Sequence, residues 1–343
     1  MYKAYYSRGI KEGFMKTYKM AILFLVLVFG YISSVAQSVV SNNFAHTFSI
    51  VARDTVTGEI GVAVQTHSFA VGNRVSWAEA GIGAIATQSF TNKSFGPRGL
   101  EYLREGCSAE ETLEKLIDSD FGKDVRQVGI IDNNGNVATW TGKKCIREAG
   151  HISGNNFSVQ ANMMLTDQVW SAMAEAFEST KAPLAERLIA SLEAAQSVGG
   201  DIRGIQAAAM KVVSGKSTGN YWEGVTIDLR VDDSKDPIKE LARLLKVQRA
   251  NEHLGRGEVA LEKGDLKTAI EENSIAQDML PEDLEVKYWY AVSLANNNMV
   301  EMSLPIFKEV FAKDNNWKIL TERLPEVDLL RVGKSELREI LAQ

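Results

Sequence analysis

Two segments near residue 50 are rich in β-forming residues and are separated by a turn signal. Thr47–Asp54 (TFSIVARD) and Glu59–Thr66 (EIGVAVQT) flank Thr57-Gly58, a pattern that predicts a β-hairpin. Gly81–Ser89 (GIGAIATQS) is a run of small and apolar residues, which is typical of a buried strand. The main folded part of the chain therefore begins with strands.

Helical periodicity follows these strands. In Pro97–Glu105 the side chains of Leu100 and Leu103 share one face, and Ala109–Asp118 has a similar spacing of apolar residues. A second hairpin is predicted around the turn signal Asn133-Asn134-Gly135. The other predicted elements are strands at Gln127–Asp132, Asn136–Thr141, Ser158–Met164, Ala207–Val213 and Val225–Val231 and helices at Thr166–Glu178 and Pro183–Ala195.

The order of these elements indicates the fold class. Strands and helices occur in groups rather than in strict alternation, so the pattern predicts an α+β layered domain with antiparallel hairpins. No GxGxxG motif follows a strand, and no GxxxxGK[ST] motif occurs. We therefore expect no cofactor.

After Pro237 the pattern is helical to the end of the chain, and it contains a repeat. Small residues and a proline fit a 34-residue tetratricopeptide pattern, with Gly264-Asp265 as the turn between two helices. A second, degenerate copy follows, and a generic pair of helical hairpins is the alternative. The residues of the first copy are Gly257, Gly264, Ala269, Ala276 and Pro281, and those of the second are Ala291, Ser303 and Phe307.

The N-terminal 36 residues resemble a secretory signal. Residues 1–19 carry five basic residues and one acidic residue, and Met20–Ala36 is free of charge. Ser34-Val35-Ala36 supplies the small residues that a signal peptidase requires. A membrane anchor is the alternative. The predicted organisation is a signal peptide at 1–36, a linker at 37–46, a main domain at 47–245 and a helical domain at 246–343.

Composition and charge exclude several classes. The 343 residues suggest about two domains, and a net charge of −6 lacks the clustered excess of basic residues that nucleic-acid binding needs. Two cysteines cannot build a four-cysteine zinc site. The four histidines do not form an HExxH motif, which excludes a zincin-type metal site.

A series of motifs in the main domain resembles a known family. The chain is similar to the bacterial domain-of-unknown-function family 1028, which has the fold of the N-terminal-nucleophile hydrolases. The resemblance spans about 47–245 and implies a four-layer αββα sandwich, but no settled activity. The motifs are TFSIVARD (47–54), GVAV (61–64), FAVG (69–72), AGIGAIATQSF (80–90), FGPRGLEYLREG (95–106), RQVGIID (126–132), TGKKC (141–145), AGHISGNNFSVQANMM (149–164), GGDIRGIQAAA (199–209) and IDLRVDDSKDP (227–237).

The resemblance implies a nucleophile at the start of a strand. In N-terminal-nucleophile hydrolases the first residue attacks an amide carbonyl, and its free α-amino group accepts the hydroxyl proton. Thr47 is therefore the first candidate nucleophile, and Ser49, on the same strand face, is the second. Signal cleavage after Ala36 leaves residues 37–46 before Thr47, so self-cleavage after His46 is required. The lysine of proteasome-type sites is missing; Arg74, 27 positions after Thr47, is the nearest basic residue.

Other polar residues are further candidates, each with a structural alternative. Asn162 and Gln88 end strands and could donate to an oxyanion, or they could satisfy backbone groups. Cys145 and His151 could form a thiolate–imidazole pair, or Cys145 could be a buried structural cysteine. Asp201 and Arg203 lie in a glycine-flanked loop, where they could serve function or fix the loop as an ion pair.

One acidic strand completes the candidates. Asp228, Arg230 and Asp232 alternate on one face, with Asp233 next to them. Such a group could bind Ca²⁺, although a solvated, self-paired face is the commoner outcome. No metal is predicted.

These observations leave two functions open. The first is an exported hydrolase that cleaves amide bonds of a small amide or a peptide. The second is a non-catalytic secreted or periplasmic module whose helical repeats bind a protein partner. Neither function involves nucleic acid or, once the signal has been removed, a membrane.

Overall fold

The computed structural model describes residues 44–220 and 223–343. The predicted signal peptide and most of the predicted linker lie outside these residues. The strands are β1 (Phe44–Ala45), β2 (Thr47–Arg53), β3 (Ile60–Thr66), β4 (Ser76–Glu79), β5 (Gly83–Phe90), β6 (Arg126–Asp132), β7 (Val137–Thr141), β8 (Gly150–Gly154), β9 (Phe157–Ala161), β10 (Ala207–Val213) and β11 (Val225–Val231).

The helices lie between and after these strands, and two short 3₁₀ turns occur at Lys123–Val125 and Leu324–Val327. The helices are α1 (Gly72–Val75), α2 (Phe95–Arg104), α3 (Ala109–Asp118), α4 (Val169–Ser179), α5 (Leu184–Ser197), α6 (Pro237–Glu262), α7 (Leu266–Met279), α8 (Leu284–Asn296), α9 (Val300–Lys313), α10 (Asn316–Arg323) and α11 (Lys334–Leu341).

The strands form two antiparallel sheets. The first sheet has the order β1-β5-β6-β7, and β4 also pairs with β5. The second sheet has the order β11-β10-β3-β2-β9-β8. The predicted hairpin of β2 and β3 is present, with Thr47 opposite Thr66 in the register. The sequence predicted a mixed α/β fold with antiparallel sheets and a C-terminal helical region, and the structure confirms this prediction.

Three apolar clusters cover the faces of the two sheets. One cluster, with Val51 and Ile131, lies between the sheets. A second, with Phe48 and Leu188, packs α4, α5 and the start of α6 onto the second sheet. A third, with Ile85 and Leu116, packs α2 and α3 onto the first sheet. The sheets are therefore enclosed by helices and face each other directly.

Local sequence explains where several helices begin. The hydroxyl of Ser108 accepts a hydrogen bond from the backbone N–H of Glu111, and the Glu111 carboxylate accepts one from the N–H of Ser108. This capping box fixes the start of α3. Asp236 caps α6 in a similar way, with Pro237 at the first helical position.

The helix α6 joins the sheets to the C-terminal helices. Its first part contributes Ile238 and Leu241 to the outer cluster of the second sheet, and its last part packs against α7 through Leu261. The predicted boundary between residues 245 and 246 thus falls inside one continuous helix. Within the described ranges, no helix is both long and apolar enough to cross a membrane.

The predicted linker 37–46 differs from the structure at its last residues. Phe44–Ala45 is a strand of the first sheet, paired with Phe90 and Ser89, and His46 is buried. Two residues carry no periodicity, and their pairing partner lies more than forty positions away in the sequence. The local pattern therefore could not reveal this strand.

Candidate functional site

The candidate site lies between the two sheets, where β2 begins. Phe48 and Ile50 face the helices on the outside of the second sheet. Because side chains alternate along a strand, Thr47 and Ser49 face the first sheet instead. Both are fully buried, so the inter-sheet space is apolar around Val51 and polar around Thr47.

Buried amides form the centre of this polar region. Gln88 accepts a hydrogen bond from the hydroxyl of Ser49 at 2.6 Å and donates to Gln127 Oε1 at 2.8 Å. Gln127 Oε1 also accepts from Asn162 Nδ2 at 2.9 Å, and Gln160 donates to Ser49 Oγ at 2.7 Å. Buried amides of this kind require such partners, and the network ties the two sheets together.

A glycine makes room for this network. A Cβ atom on Gly129 would lie 2.4 Å from Oε1 of Gln160, so any larger residue at this position would displace the amide. The two sheets can therefore approach closely enough for Gln160 to reach Ser49.

The carbonyl of His46, which precedes Thr47, is held by two donors. The hydroxyl of Thr66 donates to it at 2.6 Å, and Nη2 of Arg203 donates at 2.9 Å. Arg203 is itself fixed by Asp201, which accepts from its Nε at 3.0 Å and its Nη2 at 2.7 Å. Asp201 also accepts from the backbone N–H of His67. A cationic donor of fixed geometry thus polarises the bond between residues 46 and 47.

The imidazole of His46 lies in the same region. Its Nδ1 is 3.1 Å from Oδ1 of Asn162, and its ring meets the ring of Phe90 edge to face at 5.8 Å. Burial lowers the pKa of His46 below its ordinary value, and the nearby charge of Arg203 lowers it further, although the hydrogen bond with Asn162 acts in the opposite direction. The ring is therefore held neutral near pH 7.

The hydroxyl of Thr47 is an exception among these buried groups. Within the part of the chain that the structure describes, its Oγ1 has no hydrogen-bond partner. The backbone carbonyl of Thr47 accepts from Gln88 at 3.2 Å and from the N–H of Asn162 at 3.1 Å. A buried hydroxyl without a partner is costly, and it is chemically available for attack on a neighbouring carbonyl.

The structure brings together most of the candidates predicted from sequence. Thr47, Ser49, Gln88 and Asn162 meet in the buried network. Asp201 and Arg203 form the predicted ion pair, at 2.7 Å, and in addition reach the His46 carbonyl. The Asp201–Arg203 pair therefore both fixes its loop and belongs to the site.

Cys145 and His151 do not form the predicted pair. The thiol of Cys145 donates to the carbonyl of Arg126, whereas Nδ1 of His151 lies 2.9 Å from the hydroxyl of Thr141. Burial raises the pKa of Cys145, which disfavours a thiolate, and burial lowers the pKa of His151. Through Thr141, which accepts from Gln127, His151 adjoins the edge of the amide network.

On the acidic strand, Asp228 is neutralised by basic side chains. The carboxylate of Asp228 lies 3.1 Å from Nζ of Lys211 and 3.1 Å from Nε of Arg230, and Asp233 accepts from Gln206. No group of potential metal ligands occurs among the described residues. The self-paired face is thus the arrangement that this strand adopts.

Three important residues were missed in the sequence, Gln127, Gln160 and Thr66, and so were the contacts of His46. Gln127 and Gln160 interrupt strands that are otherwise apolar or small (RQVGIID and FSVQA). An inward-facing amide within such a strand is a signal that could have identified both residues. The role of the His46 carbonyl has no such signal because it depends on Arg203, 157 residues later.

This domain is similar to a known protein family and to solved structures. A crystal structure of a Silicibacter pomeroyi protein, described as a DUF1028 family model, is 31% identical, with a TM-score of 0.53; the match covers 58% of this chain and 84% of that chain. Anbu (ancestral beta-subunit) from Yersinia bercovieri is 13% identical, with a TM-score of 0.26, over 57% of this chain and 91% of that chain. No curated protein matches. The model of a family of unknown function, DUF1028, matches residues 47–241, and the chain belongs to this family.

Proposed function

We propose that this protein is a self-processing threonine hydrolase of the N-terminal-nucleophile type that cleaves amide bonds. One observation carries the proposal: the His46 carbonyl accepts hydrogen bonds from Arg203 and Thr66, and the next residue is a threonine whose buried hydroxyl has no partner among the described residues. Nucleophile, target bond and oxyanion donors thus occur together in one chain.

The first reaction is cleavage of the chain itself. Oγ1 of Thr47 attacks the carbonyl carbon of His46 through a five-membered ring, and negative charge develops on the His46 oxygen. Arg203 and Thr66 already donate to that oxygen, which is the arrangement that stabilises a tetrahedral intermediate. The C–N bond then breaks and the hydroxyl proton ends on the Thr47 nitrogen. Water hydrolyses the resulting ester, leaving a His46 carboxylate, a free amine and a restored hydroxyl.

The second reaction is hydrolysis of a separate amide. The new α-amine of Thr47, with an ordinary pKa of about 7.7–8.0, accepts the hydroxyl proton as Oγ1 attacks the substrate carbonyl. The same proton passes to the departing amine, and an ester with Thr47 remains. Water then releases the acid and regenerates the hydroxyl.

The N-terminal residue of the purified protein tests the proposal. We expect intact-mass measurement and N-terminal sequencing of the expressed full chain to give Thr47 as the first residue. Thr47→Ala removes the nucleophile and should retain the leader, whereas Thr47→Ser keeps a hydroxyl and should still be cut.

The opposite result is equally clear. A wild-type chain that begins upstream of Thr47 has no free amine beside the hydroxyl and would overturn the proposal. The alternative function, a binding module without chemistry, would then stand.

The pH dependence of stability provides a second expectation. The pKa of His46 is depressed in the folded chain, so the folded state excludes a proton that the unfolded chain binds below about pH 6.5. The Thr47→Ala chain keeps His46. We expect the contribution of His46 to its unfolding free energy to be complete above that pH, and the unfolding free energy to fall as pH decreases from 7 to 5.

Chemical denaturation at several pH values measures this loss. His46→Gln in the same background removes one titrating group and should reduce the loss, and the depressed pKa of His151 accounts for the part that remains. Carboxylates with depressed pKa, such as Asp54 and Asp120, protonate only at lower pH. If the unfolding free energy of the His46→Gln chain fell with pH as steeply as that of its parent, His46 would not be a source of the loss.

The finer description of the fold belongs to the same proposal. We infer that the two helix-covered sheets form an αββα sandwich of the N-terminal-nucleophile hydrolase type, which the inter-sheet position of Thr47 supports. We also infer that the C-terminal helices are tetratricopeptide-like. Gly257, Ala269 and Ala276 are buried where helices approach, and Gly264 has a φ of +76° at the predicted turn.

Export is part of the proposal as well. The basic N-terminal region, the charge-free Met20–Ala36 and the small residues at 34–36 support it. Cleavage by a signal peptidase after Ala36 would leave the ten residues 37–46 for the second cut, after His46.

A further inference from the structure

The segment before Thr47 is held by three kinds of contact. Its backbone pairs antiparallel with β5, Phe44 opposite Phe90 and Ala45 opposite Ser89. The His46 carbonyl accepts from Thr66 and Arg203, and the His46 ring contacts Asn162 and Phe90. Backbone, carbonyl and side chain of a short peptide are therefore each recognised.

We propose that the groups that hold residues 44–46 form the acyl-side binding site of the mature protein and that its substrates are extended peptides. This inference rests on the proposed function because the site opens only when the leader has been cut. In the uncut chain His46 is 3% exposed and Thr47 is fully buried. Residues 44–46 thus lie over Thr47 and occupy the place of the substrate.

The edge of β5 is what favours a peptide over a small amide. The strand β4 pairs with Gly83–Ala86 along that edge, and β1 pairs with Ser89–Phe90 farther along it. Departure of β1 removes the strand that pairs with Ser89–Phe90 on that side, while the Phe90 carbonyl keeps its hydrogen bond from Arg126. An open strand edge accepts another extended chain through main-chain hydrogen bonds.

The side-chain contacts of His46 define the preferred residue before the cleaved bond. A planar ring with a polar nitrogen can bond to the Asn162 amide and meet the edge or face of Phe90. The methyl side chain of an alanine at this position would reach neither the Asn162 amide nor the Phe90 ring. The site therefore favours histidine over alanine as the residue whose carbonyl Thr47 attacks.

The cut leader has a property that an amide substrate lacks. Its new C-terminal carboxylate forms beside the guanidinium of Arg203, whose side chain is 27% exposed and anchored by Asp201. Charge-assisted hydrogen bonds to such a group are stronger than those to a neutral carbonyl. Peptides that end in a carboxylate after histidine are thus product-like ligands of this site.

Calorimetric titration of the processed wild-type protein with four synthetic peptides tests the inference. The probes are acetyl-Phe-Ala-His with a free carboxylate, the same peptide with that carboxylate reduced to an alcohol, acetyl-Phe-Ala-Ala and acetyl-His. We expect the first to bind at least about tenfold more tightly than each of the others, since each lacks one set of contacts and a loss of about 1.4 kcal/mol is a factor of ten. The Thr47→Ala chain, which keeps its leader, should bind none.

The outcomes separate the two proposals. A processed protein that binds no probe, binds all four equally, or binds as well in the Thr47→Ala chain would overturn the peptide site while self-cleavage stands. A wild-type chain that is never cut would overturn the proposed function, and the peptide site with it. Since only ligands vary in the main series, the result does not depend on the folding of a variant.

Discussion

Replacing Arg203 with alanine is expected to slow cleavage after His46 by about 10²–10³-fold, the usual effect of removing one oxyanion donor. The reason is that Nη2 of Arg203 already donates to the oxygen on which negative charge develops. Thr66→Val, which keeps the shape of the side chain but removes the second donor at 2.6 Å, should also slow the reaction. Time-resolved mass spectrometry of protein made by cell-free synthesis measures both rates.

A matched arginine controls for the loss of charge and packing. Arg187 is 21% exposed in its side chain and pairs with Asp54 at 3.7 Å. We expect Arg187→Ala to be cut at the wild-type rate. If Arg203→Ala were cut as fast as Arg187→Ala, while both remained folded by circular dichroism, the Arg203 guanidinium would have no part in the reaction.

Gln127→Leu is expected to have the second large effect, a loss of about 3–5 kcal/mol in the free energy of unfolding. The Gln127 side chain is fully buried. It donates to Thr141, to the carbonyl of Gly150 and to that of Ala161, and it accepts from Gln88 and Asn162. Because the amide has only two N–H hydrogens, its three acceptors share them. Leucine therefore removes about four bonds, each of which contributes about 0.5–1.5 kcal/mol, and recovers part of that loss as apolar burial.

Urea denaturation followed by circular dichroism measures this difference. Gln277→Leu is the matched control because the amide of Gln277 donates only to the carbonyl of Asn273 in its own helix. We expect this control to change the unfolding free energy by less than about 1 kcal/mol. Equal values for the two variants would mean that the amide network does not hold the sheets together.

The sequence predicted elements best where local interactions define them. Ala109–Asp118 was predicted with the bounds that the structure has, because a capping box and an apolar face both lie within ten residues. The strands Ala207–Val213 and Val225–Val231 were also predicted with the bounds that the structure has. By contrast, β1, β4 and β8 have two to five residues, which is too few for a clear period. The first of them pairs with a distant part of the chain, at Ser89–Phe90 of β5, whereas β4 and β8 form short hairpins with β5 and β9.

The candidate site shows the same division. Thr47, Asn162, Asp201 and Arg203 were chosen from their residue types and their places at strand ends and in a loop. Their partners could not be chosen in this way, since the bond from Arg203 to the His46 carbonyl and that from the Ser49 hydroxyl to Gln88 join residues 157 and 39 positions apart. Cys145 and His151 were only six positions apart, yet the strand geometry directs them to different partners.

By itself, the sequence predicted the family, the type of most elements and the candidate nucleophile. Periodicity, caps and turn residues act over a few positions, so a linear pattern contains them. The tertiary structure alone decided which carbonyl is polarised, which amides connect the sheets and that residues 44–46 occupy a strand position beside the nucleophile. Each of these depends on sheet register and sheet packing, which bring together residues that are distant along the chain.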